Sequence, residues 1–171
     1  MTYTSSITLR SALFIFACLF HTAAFSAEAK VGDKFGDWVF ECRAVTAGKS
    51  LCFLTQTVLA QKGNRRLLKL SLGHNVEKKE NELAALVPLG IHIPSGVSGT
   101  IGQDKPFALV VQTCNRQGCV ATAKVDAALL KSIQAGEKLA INFSTRKEGK
   151  PIVVEATLKG LADGVKAINL K

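Results

Sequence analysis

Beyond about residue 30 the chain alternates hydrophobic and polar positions with a period of two. Trp38, Phe40 and Cys42 fall on one side of an extended backbone, with Asp37 and Glu41 on the other. Leu68, Leu70 and Leu72 alternate with Leu67, Lys69 and Ser71, and Leu139, Ile141 and Phe143 with Lys138, Ala140, Asn142 and Ser144. Ile152, Val154, Ala156 and Leu158 repeat the pattern against Val153, Glu155, Thr157 and Lys159. Successive side chains of a strand face opposite ways, so each run carries one apolar and one wetter face. Residues 51–58, 107–113 and 120–125 read as further strands. Turn chemistry separates these runs at 46–50, 62–64, 95–96, 115–118 and 147–151.

Strands at this spacing predict a mostly β chain: a single-domain antiparallel β-sandwich or barrel whose apolar faces meet in one core. Two stretches break the period. Asp126 is placed to cap a short helix over 126–135, with Leu129, Leu130 and Ile133 on one side and Gly136 at its end. Residues 161–168 predict a further helical turn at the C-terminus. Between 87 and 102, Pro88 and Pro94 stiffen a stretch that carries Ile91, Ile93 and Val97. It reads as an edge strand and crossover, or as a semi-rigid contact loop.

The N-terminus has a different grammar. Arg10 precedes an apolar run over 11–20, and Ala24 and Ser26 supply the small residues a signal peptidase reads. A cleaved signal peptide over 1–26 is predicted, leaving 27–171 as one domain. The run is too short to span a bilayer, which takes roughly 20 residues, and no later stretch is long enough, so the mature chain is expected to have no transmembrane helix.

Export gives the cysteines their meaning. Of the five, Cys18 lies in the leader, and Cys42, Cys52, Cys114 and Cys119 lie beyond it. In an oxidising compartment such cysteines become staples. Cys42 and Cys52 flank the turn between two predicted strands, and Cys114 and Cys119 stand at the mouth of a short hairpin. Of the three pairings that four cysteines permit, only Cys42 with Cys52 and Cys114 with Cys119 makes both bridges local. Neither pair has the C-x-x-C spacing of redox catalysts, and zinc is not expected in an exported chain.

The chain carries 22 Lys and Arg against 13 Asp and Glu, a net charge of +9, of which the leader accounts for Arg10 alone. Such a surplus favours acidic partners. Lys62, Arg65, Arg66 and Lys69 form a basic cluster at a predicted hairpin, followed by Lys78 and Lys79, and these six residues are the predicted anion or partner contacts. No aromatic residues interleave with them in the manner of single-strand nucleic-acid binders, so nucleic acid is not expected. The expected partner is a protein, a glycan or an anionic envelope component.

Catalytic chemistry finds little to hold. His74 and His92 belong to no H-x-x-x-H metal spacing, and no serine stands in a G-x-S-x-G elbow. Gly96, Gly99 and Gly102 match neither the dinucleotide nor the phosphate-loop fingerprint. No catalytic residue, metal or cofactor is predicted. A triad assembled from distant residues would leave no sequence mark, so a hydrolase remains a competing class.

The ordered landmarks resemble a known family. Gly36-Asp37-Trp38 leading to Cys42, then Cys52 followed by Gln56, then Val87-Pro88-Leu89-Gly90-Ile91 with Pro94-Ser95-Gly96-Val97, then Cys114 and Gly118-Cys119, and last Leu158-Lys159-Gly160-Leu161, resemble the invasion-associated locus B family of exported bacterial proteins. The likeness spans essentially the whole predicted mature chain. It implies a small, mostly β protein of the periplasm, the outer membrane surface or the medium, without enzymatic activity. It also implies a binding role in host-cell invasion, and so in virulence, among members that live in host cells. A periplasmic envelope-maintenance factor with no host role is the alternative within the same resemblance.

Overall fold

A computed structural model describes residues 29–46 and 49–170. The expected leader lies outside the described residues, as do positions 47–48 of the expected turn at 46–50. The strands are β1 (Lys34–Phe35), β2 (Trp38–Thr46), β3 (Lys49–Leu59), β4 (Arg66–Asn75), β5 (Glu80–Val87), β6 (Val97–Ile101), β7 (Phe107–Asn115), β8 (Gly118–Lys124), β9 (Lys138–Phe143) and β10 (Ile152–Thr157). Helix α1 (Ala127–Ala135) follows β8, and α2 (Leu161–Ala167) follows β10.

All pairings are antiparallel, and the strands form one sheet in the order β1-β2-β3-β4-β5-β8-β7-β6-β9-β10. Strand β7 is the fold line. Its beginning pairs with β6 (Gly99↔Phe107, Val97↔Leu109), and its remainder, from Val110 onward, pairs with β8 (Val110↔Thr122, Cys114↔Cys119), with a register shift between Val111 and Thr113. One sheet thereby supplies two layers. Strands β1 and β10 stand at opposite edges and do not pair, so the sheet is not closed into a barrel.

The alternation seen in the sequence becomes the core. Leu54, Leu68, Leu70, Leu72, Leu83 and Ala85 from the first strands join Val97, Leu139, Ile141, Phe143, Val154 and Ala156 from the last in one buried cluster. Strand β5 was not anticipated from the sequence. Glu80–Val87 reads ENELAALV, rich in helix formers, yet it alternates half-buried and buried positions without a break. The expectation for 87–102 also changes: β6 is an interior strand between β7 and β9, with Val97, Gly99 and Ile101 buried, and only the residues before it form the crossover.

Both helices arise as expected. Asp126 accepts a hydrogen bond from the Leu129 N–H at 2.8 Å and caps α1, which buries Leu130 and Ile133. Helix α2 buries Leu161, Gly164 and Val165. A side chain at Gly164 would lie 2.8 Å from Leu54, so glycine is what lets this helix settle on β3.

The two ends of the folded sheet are fastened at a seam. The Trp38 indole N–H and the Gln56 amide both donate to the Thr157 carbonyl, at 2.9 and 3.1 Å. Beside them the β1–β2 and β10–α2 turns touch backbone to backbone. A Cβ on Gly36 would lie 2.2 Å from the Lys159 carbonyl oxygen, and one on Gly160 would lie 2.5 Å from Phe35.

Candidate functional site

The face of β2, β3, β4, β5 and β8 that points away from the core carries the chain's mixed chemistry. Strand register aligns Glu41, Phe53, Gly73, Glu82 and Lys124 in one cross-strand row, and Thr57, Lys69, Leu86 and Val120 in another. Register shifts in β2 near Ala44 and in β3 near Val58 add local twist to the first three strands. A trough of about 700 Å³ runs along this face. Its floor is Leu51, Phe53, Ala84, Leu86 and Val120, all half-buried. Gly73 stands opposite Phe53, where a Cβ would come within 2.8 Å of the Phe53 Cβ. The Arg43 guanidinium lies over the Phe53 ring, 5.9 Å from its centroid.

The cations of this face are unevenly satisfied. Lys69 pairs with Glu41 at 3.2 Å, and Glu41 also accepts a hydrogen bond from the Thr55 hydroxyl at 2.8 Å. Lys78 pairs with Glu82, whose hydrogen bond raises the lysine pKa above its ordinary value. Lys62, Arg65 and Arg66, by contrast, have no carboxylate within salt-bridge distance among the described residues. Arg116 on the β7–β8 turn has none either. Arg66 joins the two turns by donating to the Gln117 carbonyl at 2.6 Å. Arg65, next to Arg66, and Arg116, next to Gln117, therefore flank one contact, and all these cations are exposed.

The six predicted contact residues do not form one cluster. Lys62, Arg65 and Arg66 lie at the start of β4, whereas Lys78 and Lys79 lie on the turn beyond its end. The ten residues of that strand put about 30 Å between the two groups. Lys69 sits between them with its charge matched. Arg43 and Phe53 line the trough instead, and Arg116 stands on the turn beside Arg66. Only strand register brings them here, and their separation in sequence gave no signal beyond the turn at 115–118.

Both expected bridges are present: Cys42 with Cys52 and Cys114 with Cys119 are directly opposed cross-strand pairs. Each closes a hairpin that borders the trough. The histidines stand apart from one another. His74 shares a hydrogen bond with the Asn81 amide oxygen at 3.1 Å, and His92 one with the Ser95 hydroxyl at 2.7 Å, three residues along the same turn. Neither imidazole has a carboxylate as its hydrogen-bond partner among the described residues, the arrangement by which a catalytic base is oriented. No group of three or more His, Cys, Asp or Glu side chains among the described residues is arranged to hold a metal ion. No helix among them is long and apolar enough to cross a membrane.

The sequence landmarks sort away from the trough. Gly36 and Trp38 meet Lys159 and Gly160 at the seam, with Gln56 beside them. Gly118 meets Val87 in a second close approach, where a Cβ would lie 2.3 Å from the Val87 carbonyl oxygen. These residues hold the fold.

Known proteins resemble this chain in sequence and in fold. A family model described as invasion associated locus B (IalB) protein matches residues 38–169. Invasion protein B homologs of Brucella abortus strain 2308 and of B. abortus biovar 1 strain 9-941 are each 24% identical over 152 residues, covering 86% of this chain and 87% of the relative. The crystal structure of invasion associated protein B from Bartonella henselae superposes with a TM-score of 0.69 at 20% identity, over 80% of this chain and 93% of that one. The last similarity shows a shared fold. Matched over most of its length by the family model, the chain belongs to the invasion associated locus B family.

Proposed function

We propose that this protein is an exported, non-enzymatic binding module that engages an anionic envelope or host-surface component and contributes in that way to host-cell interaction. The observation that carries this reading is the set of unmatched cations, Lys62, Arg65, Arg66 and Arg116, gathered on two adjoining turns. Exposed charges left without a counter-ion in the same chain are free to take one from a partner. Arginine adds a planar fork that matches carboxylate and phosphate. Two disulfides support residence in an oxidising space outside the cytoplasm.

The test is retention of the oxidised protein on a sulfated polysaccharide and on the surface of host cells, followed across salt from about 0.05 to 0.5 M. Binding is expected to fall steeply over that range. The variant Arg65→Glu/Arg66→Glu/Arg116→Glu is expected to lose it at all salt concentrations with its thermal transition unchanged. Salt-independent retention, or full retention by the triple variant, removes the basis of the proposal. Detergent sensitivity of a deletion strain that still enters host cells normally would move the same surface to envelope maintenance.

A further inference from the structure

Arg66 lines one end of the trough, and Arg116 stands on the turn whose Asn115 and Gln117 line it beside Arg66. From them the floor runs over Leu86, Val120, Phe53 and Leu51 toward Val76 and Glu77 at the far end. No salt bridge matches Glu77 among the described residues. Arg43 lines the far end together with Glu77 and Glu82, so carboxylates offset the cation there, whereas no carboxylate lines the Arg66 end; the floor between offers hydrocarbon contact.

We propose that the trough binds one molecule of a lipid phosphate, with its headgroup at Arg66 and Arg116 and its acyl chain laid along Leu86, Val120 and Phe53. This rests on the anion-binding role proposed above and names the ligand class.

The sheet itself argues against an extended peptide in this place. Strands β3, β4, β5 and β8 each have a hydrogen-bonded neighbour on both sides, so their backbone groups are already used within the sheet. A peptide lying across the face could not extend the sheet, and over the Leu86, Val120 and Phe53 floor its N–H and C=O groups would be covered without partners, at a cost of about 1–3 kcal/mol for each one left unsatisfied. A hydrocarbon chain has no such groups. A partner helix satisfies its own backbone but is about 10 Å across, and over a 30 Å length fills roughly three times the trough's volume. It would stand mostly outside. The 700 Å³ present lies within the roughly 300–1,000 Å³ usual for small-molecule sites. The carboxylates bias the orientation: a phosphate at the Arg66 end is met by fork-shaped donors without a lining carboxylate, whereas at the opposite end Glu77 and Glu82 stand beside Arg43.

The experiment is titration calorimetry of the oxidised full-length fold with myristoyl lysophosphatidic acid below its micelle concentration, beside two truncated probes. Glycerol 3-phosphate keeps the headgroup and lacks the tail; monomyristoylglycerol keeps the tail and lacks the phosphate. Saturable binding of one lipid per chain is expected, at least about tenfold tighter than either probe. Arg66→Gln/Arg116→Gln should weaken the lysophosphatidic acid about tenfold and leave monomyristoylglycerol unchanged. Leu86→Ser should weaken both tailed ligands. Because Leu86 is half-buried and the arginines are exposed, the arginine arm stands even if the leucine variant folds poorly. If glycerol 3-phosphate binds as tightly as the lipid, the anion site holds and the lipid proposal fails. If none of the three binds while the sulfated polysaccharide does, the lipid proposal fails alone. If the polysaccharide is not bound either, both readings fall. Binding only to intact anionic vesicles, or displacement of the lipid by an acidic amphipathic peptide at equal concentration, would reassign the trough to a membrane surface or a protein partner.

Discussion

The indole N–H of Trp38 donates to the backbone carbonyl of Thr157 at 2.9 Å, across 119 residues of sequence. Trp38 opens β2 and Thr157 closes β10, so this bond ties one edge region of the folded sheet to the other. No strand ladder does that work among the described residues, because β1 and β10 do not pair with each other. The closure is made by side chains and by glycine contacts, at Trp38, Gln56, Gly36 and Gly160. The trough lies on the opposite face of the first layer and shares no lining residue with the seam.

Thr157 has two donors at this seam, and that redundancy predicts non-additive substitutions. Gln56 is 4% exposed, and its Oε1 has no hydrogen-bond partner among the described residues while its Nε2 serves Thr157. Gln56→Met removes a hydrogen bond and an orphaned acceptor together, so it should change stability by less than about 1 kcal/mol. Trp38→Phe should cost about 2 kcal/mol through lost volume and lost donation. The double variant leaves the Thr157 carbonyl with neither donor, and its cost should exceed the sum by about 1 kcal/mol or more. Urea unfolding of the four proteins supplies the cycle, and strict additivity would show that the shared acceptor is not buried in solution.

Glycine contacts at the same seam are less forgiving. Gly36 (φ +64°) and Gly160 (φ +85°) each face backbone atoms at 2.2 to 2.5 Å from an added Cβ. Backbone in two packed turns has little room to yield, so Gly36→Ala and Gly160→Ala should each cost more than about 3 kcal/mol. Gly63 (φ +82°) has nothing within 4 Å of the same added atom. Gly63→Ala carries only the left-handed penalty of about 1–2 kcal/mol. Equal losses at the three positions, measured by thermal unfolding, would mean that the close approach at the seam is not present in the folded protein.

The parts of the fold legible in the sequence are those whose signal is local. Leu68, Leu70 and Leu72 alternate strictly and are fully buried. The two cysteine pairs close their own hairpins, and Asp126 caps the helix it begins. Strand β5 was hidden because its alanines and glutamates favour helix, and neighbours on both sides override that preference. Strand β6 was legible as a strand but not as an interior one, because VSGTI follows Pro88, Gly90, Pro94 and Gly96, which read as an edge. The trough was illegible for a different reason. Phe53 and Gly73 become opposite only through the register of β3 on β4, and Arg66 reaches Gln117 only because β5 and β8 are neighbours despite the crossover between them. The basic cluster was half visible: a run of charges gives its members, while ion pairing with Glu41 and Glu82 decides which charges stay free.

Loss of either disulfide should weaken the hairpins that border the trough. The sequence separations are 10 for Cys42–Cys52 and 5 for Cys114–Cys119, for which the chain-entropy model gives about 2–3 kcal/mol each. Paired Cys→Ala substitution at one bridge should lower the denaturation midpoint accordingly, slightly more for Cys42 and Cys52 with their longer loop. Loss of both should approach the sum, because the bridges close different hairpins. An unchanged midpoint after removal of either pair would show that the sheet alone fixes that hairpin.

The alkaline limb of stability carries a further signature. Lys78 and Lys138 have pKa values raised above 10.5, by hydrogen bonds to Glu82 and to Glu155 respectively. A raised value means that the folded protein holds these protons more tightly than the unfolded chain. Their contribution is therefore complete below 10.5 and is lost as pH climbs through the higher folded values. Both ammonium groups are solvent-exposed, so each pair adds little at neutral pH and less in high salt. Comparing the wild type with Lys78→Met/Lys138→Met by calorimetry should give nearly parallel melting temperatures from about pH 6 to about pH 9, converging only in the strongly alkaline range where the wild type loses its advantage. A difference that disappears between pH 7 and 9 would require some other titrating group to hold these hairpins, and the two ion pairs would then have no part in the pH profile.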